Sequence, residues 1–247
     1  MEIRISGAIK IDLMSSMKPY QQVVIDDCHE PLVKIPSDIF AFVTPHSYQK
    51  LGAPYEDKSP FYLRRGVLDR LIQANQTLQQ FRSGWKIQIF DAYRPVAVQQ
   101  FMVDHTFAEL INAKKLNSAT LNETQREEIW QQVYQFWAVP NLDPTMPPPH
   151  STGAAIDVTL IDETGNAIDM GSAIDEISAR SCPDYFADTP EKPYHEHRQT
   201  LDRAMRSAGF VRHWNEWWHF SYGDQIWAWI MNQNQPDRSF IARYGRI

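Results

Sequence analysis

Apolar side chains recur at helical spacing along parts of the chain, which places one apolar face on each predicted helix. The clearest such face lies in residues 66–82. Ser83-Gly84 directly follows this range and predicts the end of the helix. Asn122 and Gln125 have the spacing of a capping box, and Gly209 suits a left-handed helix end. Spacing and end signals together predict helices at about residues 66–82, 95–113, 123–137, 193–208 and 225–232.

Alternating and uninterrupted apolar runs predict a sheet between these helices. Residues 85–91 alternate between apolar and polar side chains, as a strand with one buried face does. Residues 153–161 are apolar on both faces, so we expect a buried strand, followed by a hairpin turn to residues 167–171. A second, aromatic hairpin is predicted from residues 210–214 and 217–222. The pattern predicts an α+β fold, with a central antiparallel sheet that is flanked by helices.

Prolines mark two irregular parts of the chain. Residues 1–60 carry prolines between short apolar runs, which predicts strands and turns and excludes long helices. Residues 138–152 are also rich in proline and suit either a loop or an interdomain linker. The strand that follows needs the preceding elements to cover it, so we predict one domain over residues 1–247.

Charge and composition narrow the choice of partner and compartment. A formal net charge of −6 offers no basic field for a phosphate backbone, so we expect no nucleic-acid partner. The chain contains no apolar run of about eighteen residues and no signal-peptide pattern, which predicts no membrane span. We expect a cytoplasmic protein, or a periplasmic one if a signal peptide has been removed. Cys28 and Cys182 form no Cys-x-x-Cys pair, and the sequence does not indicate an oligomeric state.

His150 and Asp157 are candidates for half of a metal site. They lie on a proline-rich loop and on the predicted buried strand, and His219 offers a third ligand from the aromatic hairpin. A catalytic zinc site commonly has three such nitrogen and oxygen ligands and an open fourth position. The residues alone leave another interpretation open, in which Asp157 hydrogen-bonds to a neighbouring loop and His150 is solvated.

Glu216 and Arg94 are candidates for the chemistry beside such a metal. Glu216 and His219 would point to opposite faces of a flat strand, so a shared site requires a bulge or places Glu216 in the turn before the strand. Alternatively, Glu216 is solvated in that turn and His219 packs among aromatic residues. Arg94 could pair with Asp91 across a strand end or could stabilise an oxyanion, and composition does not choose between these roles.

Three motifs, in this order along the chain, resemble those of the zinc-dependent D-alanyl-D-alanine dipeptidases, the family that includes the vancomycin-resistance dipeptidase. The resemblance extends from about Phe61 to Tyr222. The motifs are Asp91-Ala92-Tyr93-Arg94-Pro95, His150-Ser151-Thr152-Gly153-Ala154-Ala155-Ile156-Asp157 and Glu216-Trp217-Trp218-His219. Each motif alone is short and prone to false matches, whereas three in order are a strong signal.

The resemblance implies a metallopeptidase that hydrolyses D-alanyl-D-alanine or a closely related dipeptide with zinc-bound water. One zinc ion per chain would be held by His150, Asp157 and His219. The resemblance further implies that Glu216 is the general base and that Arg94 stabilises the oxyanion. Met170-Gly171-Ser172-Ala173-Ile174-Asp175 looks like the family's segment for the substrate ammonium group, which would be bound by Asp175.

The sequence also departs from the family pattern. Pro147-Pro148-Pro149 stands where the resistance enzyme has small hydroxyl residues that help to hold substrate, which puts the dipeptide selectivity in doubt. The first 60 residues align too loosely for any role to be transferred. A D,D-carboxypeptidase or peptidoglycan endopeptidase with the same metal ligands is the alternative function. A non-catalytic zinc-binding module is a further alternative.

Overall fold

Seven strands and six helices are found in the computed structural model, which describes residues 18–189 and 192–247. The strands are β1 (Leu32–Lys34), β2 (Ala41–Phe42), β3 (Tyr62–Arg64), β4 (Lys86–Asp91), β5 (Ala155–Ile161), β6 (Val211–Arg212) and β7 (His219–Ser221). The helices are α1 (Ser47–Lys50), α2 (Arg65–Phe81), α3 (Val96–Ala113), α4 (Glu123–Phe136), α5 (Tyr194–Ser207) and α6 (Gln225–Asn234). Short 3-10 helices form at Pro19–Gln22, Pro149–Thr152 and Ala179–Ser181.

Five of the strands form the central sheet, in the order β2-β4-β5-β7-β6. The pairs β4-β5, β5-β7 and β6-β7 are antiparallel, as the sequence predicts. The edge strand β2 pairs with β4 in parallel, which makes the sheet mixed. Strands β1 and β3 form a separate antiparallel pair. The α+β fold with a helix-flanked sheet is therefore confirmed, with one parallel edge that the sequence pattern did not predict.

The main core lies between the sheet and the helices α2 and α5. The alternating pattern of β4 buries Ile87 and Ile89 completely, while β5 buries residues on both faces, as its uninterrupted apolar sequence predicts. A second apolar cluster joins α3 and α4 to Tyr48 and Tyr55. None of the helices in the described ranges is both long and apolar enough to cross a membrane.

Helix ends and loops follow local sequence signals. Asn122 accepts a hydrogen bond from the Gln125 backbone N–H at 2.8 Å, and the Gln125 side chain accepts one from the Asn122 backbone N–H at 3.1 Å, which completes the predicted capping box. Gly209 follows α5 with φ of +90°. The predicted hairpin after β5 is reduced to one bridge between Ile161 and Ala167. The proline-rich stretch is a loop that ends in the 3-10 helix Pro149–Thr152.

Candidate metal centre

Three side chains with metal-binding chemistry meet at one end of the central sheet. Asp157 on β5 lies directly opposite His219 on β7 in the strand register, and His150 reaches them from the 3-10 helix Pro149–Thr152. The His219 Nδ1 atom is 3.1 Å from Asp157 Oδ1, and the His150 Nε2 atom is 3.3 Å from Asp157 Oδ2. All three residues are buried, and one donor atom of each lies within 4.8 Å of the others. The structure thus brings together the three predicted ligands.

Hydrogen bonds orient both imidazole rings toward the centre of this group. His150 Nδ1 is 2.7 Å from the Ala92 carbonyl oxygen, which can only accept, so Nδ1 donates and Nε2 is left with a free lone pair. His219 Nε2 lies 3.5 Å from the Ser221 hydroxyl, whose own proton is donated to Asp224 at 2.9 Å. His219 therefore presents Nδ1 to the centre.

Glu216 lies in the turn between β6 and β7, outside the strand that contains His219. Because Glu216 is in the turn, its side chain can reach the same site as His219, although the two residues would point to opposite faces of a flat strand. The Glu216 carboxylate is 3.7 Å from His219 Nδ1 and 3.9 Å from His213 Nδ1. Burial raises the pKa of Glu216 to about 7, although the neighbouring His219 opposes this effect. A carboxyl group with such a pKa can gain and lose a proton near neutral pH.

Asp157 differs from Glu216 although both are buried. Burial disfavours the charged carboxylate, but His150 and His219 offset it and hold the pKa of Asp157 well below its usual range. Asp157 is therefore ionised at neutral pH, which suits a metal ligand. The two carboxyl groups have different proton affinities within one site.

Arg94 is buried beside these groups, and its donors already have partners in the protein. Its Nε atom donates to Asp91 at 2.9 Å, and Nη1 donates to the Gln99 side-chain oxygen at 2.9 Å. Nη2 donates to the Tyr48 hydroxyl at 3.2 Å and to Asp157 at 3.3 Å. The structural pairing with Asp91 is thus present, and the same guanidinium also borders the candidate ligand Asp157.

Asp91 is held by residues that the sequence patterns did not single out. His46 Nε2 lies 3.1 Å and the Tyr55 hydroxyl 3.0 Å from Asp91 Oδ1, and all three side chains are buried. The chain before β3 therefore supports Arg94 through Asp91. No periodicity or motif marks His46 or Tyr55, because their role depends on a contact with a strand 36 to 45 positions away.

Asp175 reaches the same cleft from the segment that follows β5. Its carboxylate accepts a hydrogen bond from the Tyr48 hydroxyl at 2.7 Å, and its backbone has φ of +62°. Loss of solvation, aided by the negative charge of Asp157, raises the pKa of Asp175 to about 7. Asp175, Arg94, Glu216 and the three candidate ligands all line one cleft, together with Lys18 and Tyr20.

Arg198 on α5 fixes the segment that carries Asp175. The buried guanidinium donates to the carbonyl oxygens of Met170 and Cys182, both at 2.8 Å, and to that of Arg180 at 2.9 Å. It also donates to the Ser172 hydroxyl at 3.1 Å. We refer to residues 170–182 as the Arg198-anchored segment. Sequence spacing did not identify Arg198, since its partners are mainly backbone carbonyls of a distant loop.

Comparisons with known proteins identify a family of peptidases that this chain resembles. The D-Ala-D-Ala dipeptidase family of peptidases is matched by residues 42–240. A D-alanyl-D-alanine dipeptidase of a Synechocystis strain is 51% identical over 240 residues, covering 94% of this chain and 97% of that protein. A D-alanyl-D-alanine dipeptidase of Escherichia coli is 33% identical over 138 residues, covering 56% of this chain and 55% of that protein.

Solved structures with similar chains include two peptidases at low sequence identity. A vancomycin-resistance D,D-pentapeptidase in complex with Zn(II) is 18% identical with a TM-score of 0.43, covering 71% of this chain and 80% of that chain. An LD-carboxypeptidase is 16% identical with a TM-score of 0.46, covering 89% of this chain and 80% of that chain. Since the family match spans residues 42–240 and the Synechocystis relative is similar along nearly its whole length, the chain belongs to the D-Ala-D-Ala dipeptidase family of peptidases.

Proposed function

We propose that this protein is a zinc-dependent dipeptidase that hydrolyses D-alanyl-D-alanine or a closely related dipeptide. The observation that carries the proposal is the convergence of His150, Asp157 and His219 beside the buried carboxyl group of Glu216. Family membership and the name of the Synechocystis relative support the substrate class.

The donor set suits zinc. Two imidazole nitrogens and one carboxylate oxygen are ligands that zinc prefers, and three protein ligands leave a coordination position for water or substrate. The hydrogen bond from His150 Nδ1 to the Ala92 carbonyl and the contact of His219 Nε2 with Ser221 fix the rings from behind. In such a site, zinc acts as a Lewis acid and lowers the pKa of water to about 7.

Glu216 is proposed to be the general base and acid. Its carboxylate takes a proton from the attacking water and delivers it to the leaving amine when the peptide bond breaks. In the metal-free protein, burial raises the pKa of Glu216 to about 7, which makes this carboxylate a stronger base than an exposed glutamate. The position of Glu216 in the turn before β7 keeps the carboxylate 3.7 Å from His219 Nδ1.

Arg94 and Asp175 are proposed to act on opposite charges of the substrate. Asp91 and Gln99 hold Nε and Nη1 of Arg94 in place, and Nη2, whose contacts with Tyr48 and Asp157 are longer at 3.2 and 3.3 Å, would donate to the oxyanion that develops on the scissile carbonyl. Asp175 offers a carboxylate to the free ammonium group of a dipeptide. An anionic group at this point of the cleft favours an unblocked amino terminus.

Replacement of Glu216 by Gln tests the proposal directly. We expect about one zinc ion per chain in both the wild-type protein and Glu216→Gln, since Glu216 is not a proposed ligand. Hydrolysis of D-alanyl-D-alanine by the variant should fall by roughly 100- to 10,000-fold, because general acid–base catalysis is lost. The exposed Glu127 on α4 provides a matched control, and Glu127→Gln should retain full activity. Wild-type activity in zinc-loaded Glu216→Gln would contradict the assignment of the base.

A substrate panel separates the proposed function from its alternative. Zinc-loaded wild-type protein is assayed with D,D-, L,D- and L,L-dipeptides, each with a free or an acetylated amino group. We expect D-alanyl-D-alanine with a free amine to be the best substrate. Comparable cleavage of the acetylated dipeptide would instead favour a D,D-carboxypeptidase or endopeptidase. Zinc binding without turnover of any substrate would favour a non-catalytic module.

A further inference from the structure

The cleft is rich in carboxylates, although a dipeptide substrate has two charged ends of opposite sign. Asp157, Asp175 and Glu216 all face it. Asp175 can pair with the substrate ammonium group, but the substrate carboxylate needs a cation or strong donors, because burial of an unpaired carboxylate is costly. Two cationic side chains line the described part of the cleft, those of Arg94 and Lys18.

Arg94 is poorly suited to bind the carboxylate end. Its guanidinium donates to Asp91, Gln99, Tyr48 and Asp157, and two of these partners are carboxylates that already balance its charge. To bind the substrate carboxylate through two hydrogen bonds, Arg94 would have to break its contacts with these partners. Lys18 is then the remaining lysine or arginine among the described residues of the cleft lining.

Lys18 has a fixed backbone at the edge of the cleft. It directly precedes the 3-10 helix Pro19–Gln22, and its backbone N–H donates to the Gln21 side chain at 2.8 Å. Gln225 at the start of α6 holds this helix by donating to the carbonyl oxygens of Gln21 at 3.2 Å and Val23 at 2.7 Å. Tyr20, the next lining residue of this helix, is only 3% exposed. The lysine therefore stands on an anchored element.

The electrostatic surroundings of Lys18 also connect it to the reaction centre. Burial lowers the pKa of Lys18, and the negative charge of Glu216 opposes this effect. Within the described residues, the ion-pair contacts of Glu216 at 3.7 and 3.9 Å are made with His219 and His213, so Lys18 does not form a close pair with Glu216. The charges of Asp175 and Lys18 both act on Glu216. An acidic group and a basic group thus both lie within electrostatic range of the proposed base.

We propose that the Lys18 ammonium group binds the C-terminal carboxylate of the dipeptide and makes the enzyme selective for substrates with a free carboxylate. This inference rests on the proposed dipeptidase function and extends it to a specific residue of this chain. The substrate would lie across the cleft with its ammonium group at Asp175, its scissile carbonyl at the metal centre and its carboxylate at Lys18.

A different role for Lys18 makes a different prediction. If its charge served only to balance Glu216, removal of Lys18 would change the proton affinity of the base. Every substrate would then lose activity by the same factor, whatever its C-terminal group. A carboxylate-binding role affects only substrates that carry the carboxylate. The ratio of activities on paired substrates therefore separates the two roles.

The test compares D-alanyl-D-alanine with D-alanyl-D-alaninamide, in which the carboxylate is replaced by a neutral amide. Values of kcat and KM are measured for zinc-loaded wild type, Lys18→Met, Lys18→Arg and Lys86→Met. Lys86 is exposed at the first residue of β4 and serves as the matched control. Thermal unfolding and zinc content of each variant verify that the fold and the metal site are intact.

We expect the wild type and Lys86→Met to prefer the free acid over the amide. In Lys18→Met this preference should fall roughly tenfold or more, chiefly through a higher KM for the acid, because a charge-assisted contact is lost. Lys18→Arg should retain most of the preference. An unchanged ratio, or an equal loss on both substrates, would overturn the role of Lys18 while leaving the dipeptidase function intact. Failure of the zinc-loaded wild type to hydrolyse either substrate would overturn the dipeptidase function, and the role of Lys18 with it.

Discussion

Asp175 shows how strongly the cleft acts on a single side chain. Loss of solvation and the nearby Asp157 raise its pKa to about 7, whereas an aspartate in an unfolded chain titrates at about 3.9. Between these values, the folded protein binds a proton at Asp175 that the unfolded chain has released. The contribution of this group to stability is therefore fully present below about pH 4 and is lost as the pH rises through about 7.

A pH series on metal-free protein tests this behaviour. Relative to wild type, Asp175→Asn should gain free energy of unfolding as the pH rises from about 5 to 7, and the difference should level off above pH 7. The measurement is urea-induced unfolding at each pH. The exposed Asp169, which precedes the same segment, provides the control Asp169→Asn. A difference between Asp175→Asn and wild type that does not vary with pH would show that the Asp175 carboxyl group is not perturbed.

At the residue scale, motifs located only part of the site. His150, Asp157, Glu216 and His219 lie in recognisable motifs, and the structure brings these four side chains together. No motif or spacing indicates that Lys18 and Tyr20 line the same cleft. These two residues come from the irregular first part of the chain, where neither spacing nor alignment predicts which side chains turn inward.

At the scale of elements, the Arg198-anchored segment depends on a glycine. Gly171 has φ of +80°, a conformation that costs other residues about 1–2 kcal/mol. A Cβ atom at this position would lie 2.5 Å from the Phe186 ring and 2.7 Å from the Tyr194 ring. Since these rings flank the segment that carries Asp175, a side chain at residue 171 would displace the segment and not merely strain one residue.

The variants Gly171→Ala and Gly165→Ala separate the effect of backbone strain from the effect of displacing the Arg198-anchored segment. Gly165 also has a positive φ of +87°, but a Cβ atom there would meet nothing within 4 Å. Both variants should lose about 1–2 kcal/mol of unfolding free energy from the backbone, and Gly171→Ala should lose roughly 1–3 kcal/mol more from overpacking. We further expect KM for D-alanyl-D-alanine to rise in Gly171→Ala alone, with zinc content unchanged. Equal kinetics of the two variants would mean that the segment does not position Asp175.

Elements were predicted best where the signal was local. The α2 stripe, the alternation in β4 and the capping box at Asn122 were all confirmed, because each depends on residues within a few positions of one another. The edge strand β2 was not singled out as part of the sheet. It contains two residues, too few for a periodic pattern, and its place beside β4 is set by tertiary packing.

At the scale of the whole molecule, the candidate ligands join three separate parts of the chain. They come from the 3-10 helix Pro149–Thr152, from β5 and from β7, so a bound metal would link the loop before the sheet to two of its strands. Zinc that binds the folded but not the unfolded protein adds about 2.7 kcal/mol of stability at a concentration 100-fold above its Kd.

Removal and return of zinc should therefore change the unfolding temperature. We expect zinc at that excess to raise the Tm of the metal-free protein by roughly 5–10 °C, as measured by calorimetry. Asp157→Asn should lose most of this increase, whereas His29→Asn, which replaces an exposed histidine, should retain it. An undiminished increase in Asp157→Asn would place the stabilising zinc ion at another site.

The strand order of the sheet lies beyond what one sequence reveals. The resemblance over residues 61–222 indicated the family, which the match over residues 42–240 and the Synechocystis relative confirmed. The order β2-β4-β5-β7-β6 depends on pairings between residues up to about 75 positions apart, for which a single chain carries no local signal. The same limit applies to Arg198, whose partners are spread over residues 170–182.

The contribution of the chain before β3 has a consequence for how selectivity can diversify. Lys18 and Tyr20 line the cleft from this part, whereas the candidate ligands and Glu216 all lie after β4. With Lys18 as the proposed carboxylate-binding residue, part of the substrate preference is encoded in a different stretch of the gene from the metal-binding residues. Exchange of the first stretch between homologous proteins is a route to new dipeptide preferences that leaves the metal-binding residues unaltered.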